Sequence, residues 1–177
     1  MNGFRKAGIE SIENAIKIIG DDWMLITLKD KEGANAMTAS WGCLGELWSK
    51  PVAVCFIRPQ RYSFGLAEEQ DRFSLAFFDE QYRDALRLCG TKSGRDYDKF
   101  KECGLSYEID DGAPIISEAK LVIVCKKLYA DDLKEECFLV EEPLSNYKAK
   151  DYHRFYICEI EKEITKKIEY YDTGGVV

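Results

Sequence analysis

The chain has a single histidine, His153, and none of its seven cysteines stands in a C-x-x-C pair. Without close sets of thiols and imidazoles, no zinc site of ordinary ligand spacing is expected. The cysteines (Cys43, Cys55, Cys89, Cys103, Cys125, Cys137 and Cys158) are odd in number, and several sit in apolar runs such as Val52 to Ile57. They read as reduced thiols in a reducing compartment rather than as a disulfide framework. Basic residues are also short. Twenty-five Lys and Arg stand against 32 Asp and Glu, a formal charge of −7, which argues against general nucleic-acid binding, because phosphate backbones demand a dense basic surface. A few arginines would still suffice for a local phosphate site. No run of eighteen apolar residues occurs, so no membrane span is expected. The opening Met1-Asn2-Gly3-Phe4-Arg5-Lys6 lacks the continuous apolar stretch of a signal peptide, and a cytoplasmic location follows as the expectation. Neither a G-x-G-x-x-G after the first strand nor a Walker A sequence is present, which excludes a separate dinucleotide domain.

What is present suits one globular domain over residues 1–177. Apolar residues make up 46% and charged residues 32% of the chain, an ordinary balance for a packed core. Ile9, Ile12, Ile16 and Ile19 recur at helical spacing before Gly20, which predicts a short amphipathic helix with its stop. Apolar runs at Trp23 to Leu28, Ala36 to Leu47 and Val52 to Ile57 are separated by turn-like residues and predict three early strands. Gly42 and Gly45 should bend the second. A helical turn or two over Tyr62 to Gln70, a strand over Phe73 to Phe78, and a helix over Glu80 to Leu88 capped by Asp79 and stopped by Gly90 come next. A helix over Asp96 to Cys103 and long strands over Lys120 to Leu128 and His153 to Ile164 complete the pattern. In the last of these, Phe155, Ile157, Ile160 and Ile164 do not keep a strict period of two. Many strands, few helices and no repeated βαβ rhythm predict a mainly β fold with peripheral helices, a decorated barrel.

Three segments could carry chemistry. Asn35 to Gly42 mixes small residues, hydroxyls and an indole, either a strand open to a planar ligand or a barrel strand with solvated hydroxyls. Arg58-Pro59-Gln60-Arg61-Tyr62-Ser63 follows a buried strand and opens a helical turn, either a phosphate pocket or a surface turn with two arginines. Cys89 to Asp96 is a Gly-, Ser- and Lys-bearing loop, either a phosphate wrap or a connection between helices.

In their order along the chain, Asn35 to Trp48, Arg58 to Ser63 and Cys89 to Lys99 resemble the flavin reductase-like family, in particular its flavoredoxin-like members. The resemblance continues through Cys125 to Tyr129 and His153 to Ile157. It implies an FMN-binding split β-barrel, with FMN held non-covalently, and an oxidoreductase or electron-transfer function in which NADH or NADPH is the candidate electron donor. Met37, Thr38, Ala39, Ser40 and Trp41 then match the strand along the isoalloxazine ring. Arg58, Arg61, Tyr62 and Ser63 match the turn holding the ribityl phosphate, and Lys92, Ser93 and Gly94 match the loop that completes the contacts. A homodimer with flavin near the subunit boundary, serving an unnamed redox partner, is also implied. Two positions depart from the family pattern. Cys43 replaces an expected glycine and reads as a packed thiol. Asp151-Tyr152-His153 replaces a Gly-Asp-His triplet, leaving His153 either beside the flavin and nicotinamide, as the one candidate catalytic side chain, or a half-buried strand histidine. A flavin electron carrier without nicotinamide activity, and a non-catalytic flavin- or haem-binding barrel, are the rival readings.

Overall fold

The computed structural model describes residues 4–6, 12, 14–31 and 33–166. Its strands are β1 (Phe4–Lys6), β2 (Met24–Asp30), β3 (Gly33–Ala39), β4 (Gly42–Leu47), β5 (Lys50–Ile57), β6 (Arg72–Phe77), β7 (Tyr107–Asp110), β8 (Ala113–Ile116), β9 (Leu121–Asp132) and β10 (Arg154–Lys166). Three α-helices interrupt them: α1 (Tyr62–Glu69), α2 (Arg83–Thr91) and α3 (Lys99–Cys103). The main sheet is antiparallel in the order β3-β2-β6-β9-β10-β5-β4, with β1 pairing the far end of β10, and β7–β8 form a separate hairpin.

That order has a geometric consequence. The two edge strands, β3 and β4, are consecutive in the chain and separated only by Ser40 and Trp41. The sheet must therefore curl until its edges meet at this corner, yet the edges do not hydrogen-bond to each other. The result is a split β-barrel, mainly β with peripheral helices, as the sequence predicts.

Strand β2 is buried on both faces, which is why its sequence is continuously apolar rather than alternating. Met24, Ile26 and Leu28 point into the barrel with Phe73, Leu75 and Phe77 of β6 and Tyr156 of β10. Leu25 faces outward with Ala76, Val122 and Val124 into a second core roofed by Leu86, Cys89, Phe100 and the β7–β8 hairpin. Each Leu, Ile, Val, Phe or Met among them contributes about 1.5–3 kcal/mol on burial.

Several expected boundaries move, each for a visible reason. Of the N-terminal isoleucines, Ile9 lies outside the described residues, Ile16 is 87% exposed and Ile19 is buried. The chain there makes a π-helical turn, Lys17–Asp21, that runs through Gly20 rather than stopping at it. Asp79 makes no side-chain cap, and a 3₁₀ turn, Glu80–Tyr82, precedes α2. Gly90 lies inside α2, where an added Cβ would stand 3.4 Å from the Thr38 Cβ. Its glycine permits close packing on β3 rather than a helix stop. The true cap is Asp98, whose carboxylate accepts from the Lys101 N–H, and Gly104 at φ 63° closes α3. All seven cysteines are free, but Cys43 is exposed on β4, not packed.

Candidate functional site

Two adjoining clefts open beside the split, and Arg61 lines both. Counting the solvent open to each, they span about 420 and 530 Å³.

The first cleft lies between the start of α1 and the loop leaving α2. Arg61, Tyr62 and Ser63 come from α1, Lys92, Ser93, Gly94 and Arg95 from the loop, and Lys99 from α3. Four of these side chains are cationic, no carboxylate lines the cleft, and the chain as a whole carries −7. Among the described residues none of the four cations is paired with a carboxylate. Arg61 Nη1 donates to the Gly90 carbonyl at 3.0 Å, while Arg61 Nη2 is buried with no hydrogen-bond partner among the described residues. Burial lowers the Arg61 pKa. An unpartnered buried guanidinium nitrogen is costly unless an acceptor arrives. The first turn of α1 has neither a side-chain cap nor an acidic residue competing for its N–H groups.

The remaining contacts hold this cleft in shape. Ser63 is buried and accepts from Asn35 Nδ2 at 2.8 Å. The Tyr62 hydroxyl donates to both Asp30 oxygens, at 2.9 and 3.0 Å, and Arg95 stacks on the Tyr62 ring. Lys92 lies over the Tyr97 ring, and the Ser93 hydroxyl accepts from the Arg95 N–H. Lys99, which the sequence motifs do not single out, is buried, and its ammonium donates to the Ala36 and Cys89 carbonyls at 2.7 and 3.0 Å. Burial, helped by the nearby Arg61 charge, lowers its pKa to about 8.

Gly94 is the tight point of the loop. A Cβ there would stand 2.1 Å from Asn35 Oδ1 and 2.8 Å from the Tyr62 ring. Gly94→Ala should therefore push Asn35 off Ser63 and cost about 1–2 kcal/mol of stability, read by chemical denaturation. An unchanged midpoint would show that the loop gives way freely.

The second cleft is lined by Met37, Thr38, Ala39, Ser40 and Trp41, with Phe56, Arg58, Arg61 and His153. All five residues of the predicted strand segment thus meet in one place, although the Met37 side chain belongs to the barrel core and the Thr38 hydroxyl bonds the Leu86 carbonyl. Trp41 is 45% exposed and its ring lies 5.2 Å from that of His153. Arg58 departs from its expected place with the phosphate turn. It lines this cleft instead, paired with Asp151 at 2.5 Å and donating to the Asn146 carbonyl at 2.9 Å. The Arg58 guanidinium in turn holds the Asp151 pKa below the usual carboxylate range. His153 is buried just before β10, and burial, with the Arg58 charge, lowers its pKa to about 4.

The molecule is thus a curled, split barrel with a cationic cleft beside an aromatic-lined one. The family model for the flavin reductase like domain matches residues 20–165, and the chain belongs to that family. Solved structures share the fold. An FMN-binding domain of a flavin reductase-like enzyme from Shewanella baltica superposes with a TM-score of 0.65 at 15% identity, covering 93% of this chain and 78% of that one. Flavoredoxin from Methanosarcina acetivorans gives 0.65 at 20% identity, over 82% and 69%. An NADH:FAD oxidoreductase from Streptomyces globisporus, solved with NAD and FAD fragments, gives 0.60 at 14%, over 82% and 74%. An uncharacterised protein of Aeropyrum pernix is 25% identical over 122 residues, which are 67% of this chain and 45% of that protein. The chain therefore spans less than half the length of that relative. Among the described residues no helix is long and apolar enough to cross a membrane, and no group of His, Cys, Asp and Glu could hold a metal ion.

Proposed function

We propose that this protein is an oxidoreductase that binds FMN non-covalently across the two clefts and accepts electrons from NADH or NADPH. The observation that carries the reading is the buried, unpartnered Arg61 Nη2 at the junction of a cationic cleft and an aromatic one. Arg61, Ser63, Lys92 and the N–H groups around Ser93 and Gly94 would hold the phosphate, with Lys99 behind them. Met37 to Trp41 would lie along the ring, where small residues expose backbone donors and acceptors. When bound, the flavin supplies the hydride and electron chemistry, and the chain supplies position and electrostatics.

The Arg58–Asp151 pair fixes the wall next to His153. His153, neutral from about pH 5 upward, is suited to donate a hydrogen bond rather than to shuttle a proton. A nicotinamide without a dinucleotide fold to hold it would stack on the open flavin face beside Trp41 and His153, which implies weak binding and modest choice between NADH and NADPH.

The purified protein should be yellow, and anaerobic NADH should bleach it in stopped flow. A flavin-loaded protein that no nicotinamide bleaches would instead be an electron carrier. His153→Ala should slow bleaching several-fold, the effect of about one lost hydrogen bond, with FMN still bound at full stoichiometry. Unchanged bleaching would strip His153 of its role.

The homodimer is part of the same reading. Trp41, Leu47 and Trp48 are exposed around β4, the sheet edge beside the site, a surface of the aromatic kind that interfaces favour. Sedimentation at micromolar concentration should give a dimer, and a monomer that retains its flavin would defeat it.

A further inference from the structure

The aromatic cluster behind the second cleft holds a hydrogen bond that the flavin reading leaves unused. Tyr147, at the end of the 3₁₀ segment Glu142–Tyr147, is buried, and its hydroxyl lies 2.9 Å from His153 Nδ1, the two rings meeting edge to face at 84°. Phe138 and Tyr152 pack on the Tyr147 ring, and the Arg58 guanidinium sits 5.2 Å from its centroid. The phenol is therefore clamped from several sides and has little freedom to turn to another partner.

The direction of the proton in this bond follows from what else each group can reach. Among the described residues the Tyr147 hydroxyl has no other hydrogen-bond partner. Were it to accept from an Nδ1–H, its own proton would be left without an acceptor in a buried place, at the full cost of desolvating a polar group. If it donates to Nδ1, both groups are satisfied. The imidazole proton then resides on Nε2, since a neutral ring carries one. His153 Nε2 has no partner among the described residues, and His153 lines the cleft beside Trp41.

We infer that Tyr147 is a positioning residue, which holds His153 as the Nε2–H tautomer so that the cleft presents a fixed N–H donor to a carbonyl oxygen of its occupant. The assignment of that occupant rests on the flavin reading above, but the tautomer does not. Arg58 and Asp151, the charged groups facing the histidine, are paired with each other. Burial keeps the ring uncharged near neutral pH, so the donor is present without a counter-charge to desolvate.

The chain's single histidine allows a direct test. Long-range ¹H–¹⁵N correlation of the ¹⁵N-labelled protein without flavin at pH 7 should show one neutral ring with the proton on Nε2. Tyr147→Phe, which keeps the buried ring and removes only the hydroxyl, should convert this to a mixture of both tautomers with the remaining amide spectrum preserved. With FMN at full stoichiometry, the same variant should slow NADH bleaching about two- to tenfold, the range for one hydrogen bond. An Nδ1–H tautomer in the parent protein overturns the proposal, as does a Tyr147→Phe spectrum identical to the parent's. The parent measurement needs no variant, so a misfolded mutant would not shield the idea. Flavin titration is read separately, so a protein that binds no flavin would remove the proposed occupant and not the tautomer.

Discussion

Arg61→Ala is expected to weaken FMN binding by about ten- to a hundredfold and to leave riboflavin binding nearly unchanged. The guanidinium makes one internal hydrogen bond, to the Gly90 carbonyl, and keeps Nη2 buried without a partner among the described residues. A phosphate oxygen at that nitrogen completes a charge-assisted bond worth about 1.5–3 kcal/mol. Riboflavin has no phosphate and gains nothing from it. Isothermal titration of both ligands against both proteins forms a double-mutant cycle between the side chain and the phosphate. Equal losses for the two ligands would mean that Arg61 shapes the cleft rather than binding phosphate.

Lys99→Met should cost a comparable amount at pH 7 and should also change the shape of the pH dependence. The Lys99 pKa is lowered to about 8 by burial, so the ligand-free protein carries the ammonium below that pH and the neutral amine above it. A phosphate dianion favours the ammonium and raises its pKa in the complex, so binding takes up a proton above pH 8. Affinity should then fall as pH rises past 8, by at most tenfold per pH unit, until the raised pKa of the complex is reached. Below about pH 6 the phosphate itself takes up a proton and affinity falls on the other side. Lys99→Met should be weaker at pH 7, flat from pH 8 upward, and unaltered on the acid limb. A parent protein whose FMN affinity is the same at pH 7 and pH 9.5 would exclude Lys99 from the phosphate's surroundings.

Lys99 also shows where reading the sequence stops. Arg61, Ser63, Lys92 and Gly94 stand in loops of recognisable composition, so their meeting in one cleft was legible once the order of the segments was considered. Lys99 sits in a one-turn helix beside Phe100, and both are buried. Its value comes from reaching the Ala36 and Cys89 carbonyls, 63 and 10 residues away, a placement that only the folded chain supplies. Arg95 and Phe56 stand inside recognisable segments, but their places in the cleft walls come from the fold. The barrel class was legible because the sheet's buried strands are largely apolar, but the strand count was not: the segment Ala36 to Leu47 divides into β3 and β4, and β1, β7 and β8 carry no apolar run of comparable length. Strand β10 defeated the alternation rule because it carries an extra residue, Glu161, where its register against β9 shifts between Ile160 and Lys162, whereas the shift at Ile157 and Cys158 places the extra residue, Leu128, in β9. The bulge at Glu161 moves the later side chains to the opposite face, so Ile160 packs in the barrel and Ile164 in the second core. Arg58 was placed with the phosphate by its neighbours in sequence, but the Asp151 carboxylate draws it to the other cleft.

Strand β10 has a further consequence, for the order in which the molecule can be made. Among the described residues it is the only strand that hydrogen-bonds both to the β3-β2-β6-β9 half of the main sheet and to the β5-β4 hairpin. Synthesis runs from the N-terminus at about 5–20 residues per second, so β10 leaves the ribosome last of these strands. From the completion of β9 the β5 edge of the hairpin waits roughly 2–7 s for its partner strand. The cationic cleft draws its residues from 60–99 and its support from the earlier half, so it can exist during that interval. The aromatic cleft needs Phe56 and Arg58 from beside the hairpin and His153 from the start of β10. If the cationic cleft holds the phosphate as proposed, a nascent chain would offer the phosphate site before the ring site, and FMN would be loaded phosphate end first.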